Sequence, residues 1–137
     1  MRKITKTLFI TLLTLIMCFN ATSIGASAAV QPRLSAIINL NLSFSATDTG
    51  GTVVVKYDGY DANFEKVDVS VKLQKRFLLV FWSDVDEWNV SSTNPNALLT
   101  HVFTLNGTGT YKATFTINAT SKDGNVDNIV ETIESKY

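Results

Sequence analysis

From Lys66 to Leu73 the chain alternates without a fault. Val67, Val69, Val71 and Leu73 are apolar, and Lys66, Asp68, Ser70 and Lys72 between them are polar. Side chains on an extended strand point to opposite faces with a period of two, so such a run has one face for a core and one for water. The pattern recurs in Ile38, Leu40, Leu42 and Phe44, set against Asn39, Asn41, Ser43 and Ser45. It recurs again in Tyr111, Ala113, Phe115, Ile117 and Ala119, set against Lys112, Thr114, Thr116 and Asn118. No segment carries the 3.6-residue period of a capped amphipathic helix. A chain patterned this way must bury one face of several strands against another such face.

Turn chemistry separates the strands. Asp48-Thr49-Gly50-Gly51 is a turn before the β-branched and aromatic run Thr52 to Tyr57, and Asp58-Gly59 opens a polar loop through Asn63. Phe77 to Trp82 is apolar without a break. Asn89 to Asn96 contains Pro95, cannot be a central strand and reads as a loop. Leu98 to Leu105 is the next strand, Asn106-Gly107-Thr108-Gly109 the next turn, and Asp123-Gly124 a hairpin signal before a last strand from about Val126 to Ile133. About seven short strands, with turn signals roughly every 8–12 residues, predict an all-β antiparallel sandwich.

The beginning of the chain predicts its location. Arg2, Lys3 and Lys6 make a basic start, Leu8 to Phe19 is apolar apart from Thr11 and Thr14, and Ala26-Ser27-Ala28 is a small-residue cleavage site. That order is a secretory signal, so residues 1–28 are expected to be removed and residues 29–137 to form a single domain, secreted and extracellular or held at the cell surface. The apolar run falls short of the roughly 20 residues that cross a bilayer, and no second such run follows, so no transmembrane segment is expected after cleavage. Cys18, the only cysteine, leaves with the signal, and Met17 before it is unlike the small residue that precedes a lipid-modified cysteine. No disulfide is then expected, and about 109 residues must be held by their core alone.

Charge and residue types narrow the chemistry. Residues 29–137 keep nine of the twelve basic side chains and all twelve acidic ones, a net charge of about −3. That balance argues against a nucleic-acid partner and against attraction to anionic lipid. A nucleophilic site needs a nucleophile with an activating base. His101 is the single histidine and sits in an apolar alternation with Leu99, Phe103 and Leu105, which suits a half-covered strand residue. There is no Gly-x-Ser-x-Gly elbow and no phosphate-cradling glycine loop, so the chain is not expected to be an enzyme. Zinc lacks its usual ligands. Asp84, Asp86 and Glu87, or Asp58 and Asp61, supply oxygens of the kind calcium takes, but solvated carboxylates beside turns are the simpler reading. No cofactor is expected.

Aromatic residues are the better lead. Trp82, Trp88, Tyr57, Tyr60 and Phe64 supply rigid contact area of the kind used on sugars and peptides. One tryptophan is expected in the core, with Trp82 the first candidate. Trp82, Val85 and Trp88 are spaced by three, so they cannot all face inward on a regular strand. Either a bulge re-aims one or one tryptophan lies outside.

Leu73-Gln74, then Trp82, Val85 and Trp88, then Gly109-Thr110-Tyr111-Lys112-Ala113, resemble small secreted proteins of Gram-positive bacteria that consist of one immunoglobulin-like or fibronectin-like domain, mostly without an assigned function. The resemblance implies an immunoglobulin-like antiparallel β-sandwich of about seven strands, and brings no catalytic residues with it. Tyr111 is similar to the tyrosine corner of such domains, with Ala113 where a disulfide cysteine would stand. The departure is Phe77 to Phe81. Members of that group are expected to carry polar, glycine-containing residues there. Five apolar residues in a row fit either a strand buried on both faces or an exposed hairpin tip.

These readings converge on a secreted, non-enzymatic domain that binds an extracellular protein or the cell envelope, including cell-wall glycan. Phe77 to Phe81, Leu78 and Val80 among them, are open to contact with a partner, a second copy or a membrane, and a carboxylate-pair hydrolase is a further reading. The competing reading is a carbohydrate-binding module that uses exposed Trp82, Trp88 and Tyr60.

Overall fold

The computed structural model describes residues 34–137, and every regular element in them is a strand. The strands are β1 (Ile37–Thr47), β2 (Gly50–Gly59), β3 (Phe64–Phe77), β4 (Phe81–Ser92), β5 (Asn96–Phe103), β6 (Thr110–Ser121) and β7 (Val126–Lys136). They form two antiparallel sheets, one ordered β1-β2-β5 and the other β4-β3-β6-β7. The all-β sandwich is therefore present, with seven strands. The expected signal, its cleavage site and Cys18 lie outside the described residues. Among the described residues no helix is long and apolar enough to cross a membrane.

The strands with the strictest alternation occupy the middle of the sheets. Val67, Val69, Val71 and Leu73 of β3 and Tyr111, Ala113, Phe115, Ile117 and Ala119 of β6 are buried. Opposite them lie Val53, Val55 and Tyr57 of β2. A strand paired on both sides cannot slip by one residue without turning its whole apolar set to water, which is why the central strands are patterned most regularly. Phe44, Phe64 and Phe103 close the ends of this core.

Different chemistry seals the two open sides. Along one, the Ala46 N–H donates to Ser135 Oγ at 3.0 Å. There too the Asp127 carboxylate accepts the backbone N–H groups of Ser35 and Ala36 at 2.7 and 2.8 Å, tying the lead-in residues to β7. Along the other, the Trp88 indole of β4 lies parallel to the His101 ring of β5 with centroids 5.0 Å apart, and His101 meets Phe103 edge-on. The single histidine is thus half-buried packing between edge strands.

Three expectations are corrected. A bulge between Ile37 and Asn39 shifts the phase of β1, so Ile37 is buried and Ile38, expected inside, is exposed. Asn89 to Ser92 is not loop but the end of β4, and only residues 93–95 connect it to β5. That polar stretch serves as a strand because β4 is an edge, where one side needs no partner and only Val90 must meet the core. The fifth strand starts at Asn96 and ends at Phe103, short of Leu105, which packs on the core from beyond the strand.

The tyrosine corner is formed. Gly107 takes φ +71°, a conformation that costs a residue with a Cβ, and so turns its carbonyl back toward β6. The Tyr111 hydroxyl donates to that carbonyl at 2.6 Å from a ring that is fully buried. Tyr111→Phe removes one such bond, so its unfolding free energy is expected to fall by about 0.5–1.5 kcal/mol, read from denaturant melts. An unchanged midpoint contradicts a stabilising corner.

Candidate functional site

The β3–β4 hairpin is longer than the sheet that carries it. Pairing of β3 with β6 ends at Lys75↔Tyr111, while Arg76 and Phe77 pair only with Trp82 and Phe81 of β4. With a rise of about 3.3 Å per residue, the tip stands roughly 10 Å past the last row shared with β6. It consists of Leu78, Leu79 and Val80, exposed at 76%, 87% and 72%, with Phe77 and Phe81 also exposed behind them. The two phenylalanine rings meet across the hairpin, centroids 5.6 Å apart. Of the two readings of this segment, the exposed hairpin tip is the one realised.

Its backbone is as unusual as its composition. Leu78 has φ +47° and Leu79 φ +66°, and they are the only non-glycine residues with positive φ among those described. The Val80 N–H donates to the Leu78 carbonyl at 2.8 Å, closing a tight turn around Leu79 in the strained, positive-φ form of the γ-turn. Elsewhere the chain puts glycine where positive φ is needed, including Gly50 at the start of β2 and Gly124 before β7. Left-handed non-glycine residues cost on the order of 1–3 kcal/mol each and gather where a contact is made. Two leucines held so, with their side chains in water, bring the fold no packing in return.

Below the tip sits a collar of cations around Trp82. The Arg76 guanidinium lies 4.8 Å and the Lys112 ammonium 4.2 Å from the Trp82 ring centroid. Arg76 also binds the Glu134 carboxylate at 2.9 Å, and Lys72 binds that of Asp84 at 2.8 Å. Lys75 donates to the Asn106 carbonyl and stands over the Tyr111 ring at 5.4 Å. Neither Lys75 nor Lys112 has a carboxylate within 4.0 Å among the described residues.

The tryptophans part ways at a bulge. The β3–β4 register shifts between Leu73 and Gln74, so Asp84 pairs with Gln74 and Asp86 with Leu73, leaving Val85 as the extra residue. Val85, Trp88 and Val90 consequently face the core, and Trp82 lies on the outer face over Arg76 and Lys112. Trp82 was the first candidate for the core; the bulge gives that place to Trp88.

Of the other expected site residues, Leu78 and Val80 lie in the tip, with Trp82 at its base. Tyr60 is exposed at the opposite end of the sandwich, where its carbonyl accepts the N–H groups of Asn63 and Phe64. The structure therefore does not bring Trp82, Trp88 and Tyr60 onto one platform. Sequence reading missed Arg76 and Lys112, because only the register of β3 with β4 and β6 carries them to Trp82. Among the described residues no three His, Cys, Asp or Glu side chains are grouped to hold a metal ion.

With this geometry in view, comparison with known proteins returns nothing: no family model, curated protein or solved structure matches the chain.

The collar's acidic side makes a checkable prediction. Hydrogen bonds from Lys72 and Gln74 hold the Asp84 carboxyl below its ordinary pKa, Lys72 first. A depressed pKa stabilises the fold above the unfolded value near 3.9, and that contribution is lost as pH falls through the folded value. Carboxylate NMR should show Asp84 titrating below about 3.9 and moving up in Lys72→Gln. An Asp84 that ignores Lys72→Gln contradicts the pairing.

Proposed function

We propose that this chain is an exported, non-enzymatic domain of immunoglobulin-like kind that works by binding an extracellular partner or the cell envelope, with the β3–β4 tip as its contact surface. The observation that carries the reading is the pair of leucines at positive φ, exposed at the end of a projecting hairpin. Strain and apolar exposure both disfavour the free protein, and contact with a partner relieves the second of them.

Several features support the fold-level part. Three strands face four, with β4 joined to β3 rather than to the β1-β2-β5 sheet, and Tyr111 makes the corner bond expected of such domains. That support is by analogy of architecture, and the functional part rests on the tip itself. The carbohydrate-module reading draws less support, since its aromatic residues are dispersed and the Trp82 ring is already in contact with two cations.

The test uses the mature secreted protein, wild type and Leu78→Ser/Val80→Ser, mixed with intact Gram-positive cells and pelleted. Wild type should pellet with the cells and the variant should stay in the supernatant, with thermal unfolding of the two nearly the same. Equal partitioning of both proteins overturns the tip as contact surface. A loss of several kcal/mol in stability, the mark of a core truncation, does so as well.

A further inference from the structure

We propose that the partner of the tip is an anionic bilayer surface, into which Phe77 to Phe81 insert to the depth of the headgroup region while Trp82, Arg76 and Lys112 stay at its level. The inference rests on the reading of the tip as a contact surface and names what that surface meets.

Shape comes first. A standard protein interface uses about 20–30 residues a side. The tip offers five consecutive ones on a convex point, too few for two copies to hold each other end to end. A bilayer makes no such demand, because its interface closes around whatever enters it. The reach also fits: the hairpin projects roughly 10 Å past β6, and apolar faces of interfacial segments lie about 5–10 Å into the headgroup and acyl boundary. Phe77, Leu78, Leu79, Val80 and Phe81 are apolar around the whole hairpin, which suits entry into a medium that surrounds it.

Chemistry then follows depth. Behind the apolar residues comes Trp82, whose indole suits the membrane–water boundary. Next to it are Arg76 and Lys112, with Lys75 below. Apolar point, aromatic ring and cationic collar are the order in which a bilayer presents acyl chain, boundary and phosphate. Long cationic side chains at such a level reach the phosphates while their stems stay against apolar surface.

The charge of the domain is segregated in the same sense. The tip half carries Lys72, Lys75, Arg76, Lys112 and Lys136 against Asp48, Asp84, Asp86, Glu87 and Glu134. The opposite half carries Asp58, Asp61, Glu65, Asp68, Asp123 and Asp127 against Lys56, Lys66 and Lys122. The overall negative charge therefore belongs to the opposite half. A negatively charged surface repels the opposite half more than the tip half, whose cations ring Trp82, and so orients the sandwich tip first.

The experiment uses the mature secreted protein and large unilamellar vesicles, either pure phosphatidylcholine or phosphatidylcholine and phosphatidylglycerol in roughly equal parts. Co-sedimentation should be clear with the anionic vesicles, weak with the neutral ones, and reduced by raised salt. Leu78→Ser/Leu79→Ser should lower vesicle association on the order of tenfold or more, given about 0.8 kcal/mol per buried CH₂. Lys112→Gln, on the outer sheet face, should lower association to anionic vesicles about fivefold, as expected for one cation near the surface, with little change on neutral ones. Brominated lipid should quench Trp82, and the quenching should vanish in Trp82→Phe.

No association with anionic vesicles overturns the inference, as does equal association of wild type and Leu78→Ser/Leu79→Ser. If vesicles fail while Leu78→Ser/Val80→Ser still abolishes retention on cells, the bilayer is wrong and the tip meets a protein or glycan. Concentration-dependent dimerisation that Leu78→Ser/Leu79→Ser removes, with no vesicle binding, assigns the tip to a second copy and also overturns the bilayer.

Discussion

The burial of one alternating face of each sheet against the other governs everything else in this molecule. Val53, Val55 and Tyr57 on one side and Val67, Val69, Val71, Leu73, Phe115 and Ile117 on the other are withdrawn from water together. Each large apolar side chain so buried contributes about 1.5–3 kcal/mol, and β3 and β6 cannot slide without forfeiting several at once. That locked register is what lets the β3–β4 hairpin run on past β6. A loosely registered pair would respond to strain at its end by slipping, whereas this one holds Leu78 and Leu79 at positive φ.

The apolar end of the hairpin is flanked by polar and charged residues on both strands. Phe77-Leu78-Leu79-Val80-Phe81-Trp82 has the composition of a segment that pairs with copies of itself. It is bounded by Lys75 and Arg76 on one strand and by Ser83 and Asp84 on the other. Flanking charges of this kind keep exposed β segments from pairing edge to edge. The cations thus serve twice, once against aggregation and once, on the account given above, toward phosphate.

The alternation of β3 and β6 made the core legible in the sequence, because a period of two means one thing on a strand buried on a single face. Tyr111 and its corner were legible too, since Gly107 and Gly109 mark the turn that its hydroxyl must reach. The apolar run at Phe77 to Phe81 stood out as an anomaly, but periodicity alone could not tell a doubly buried strand from an exposed tip. What was illegible depended on register. The bulges at Ile37/Asn39 and Leu73/Gln74 reversed the expected places of Ile38 and Trp82. The three-residue spacing of Trp82, Val85 and Trp88 called for a bulge or an outward tryptophan, but which ring turned outward was decided by the register with the neighbouring strand. The cationic collar was hidden for the same reason: Arg76 and Lys112 are 36 positions apart and meet only over Trp82.

The central claim is that the tip's leucines are retained against the interest of the fold. The most direct measurement is the unfolding free energy of Leu78→Asn/Leu79→Gly, which places residues tolerant of positive φ in the same turn. The account predicts that this variant is more stable than wild type by about 1 kcal/mol or more, the relief of left-handed strain exceeding the entropy that glycine adds to the unfolded chain. A variant less stable than wild type would contradict it, because the leucines would then be holding the hairpin together.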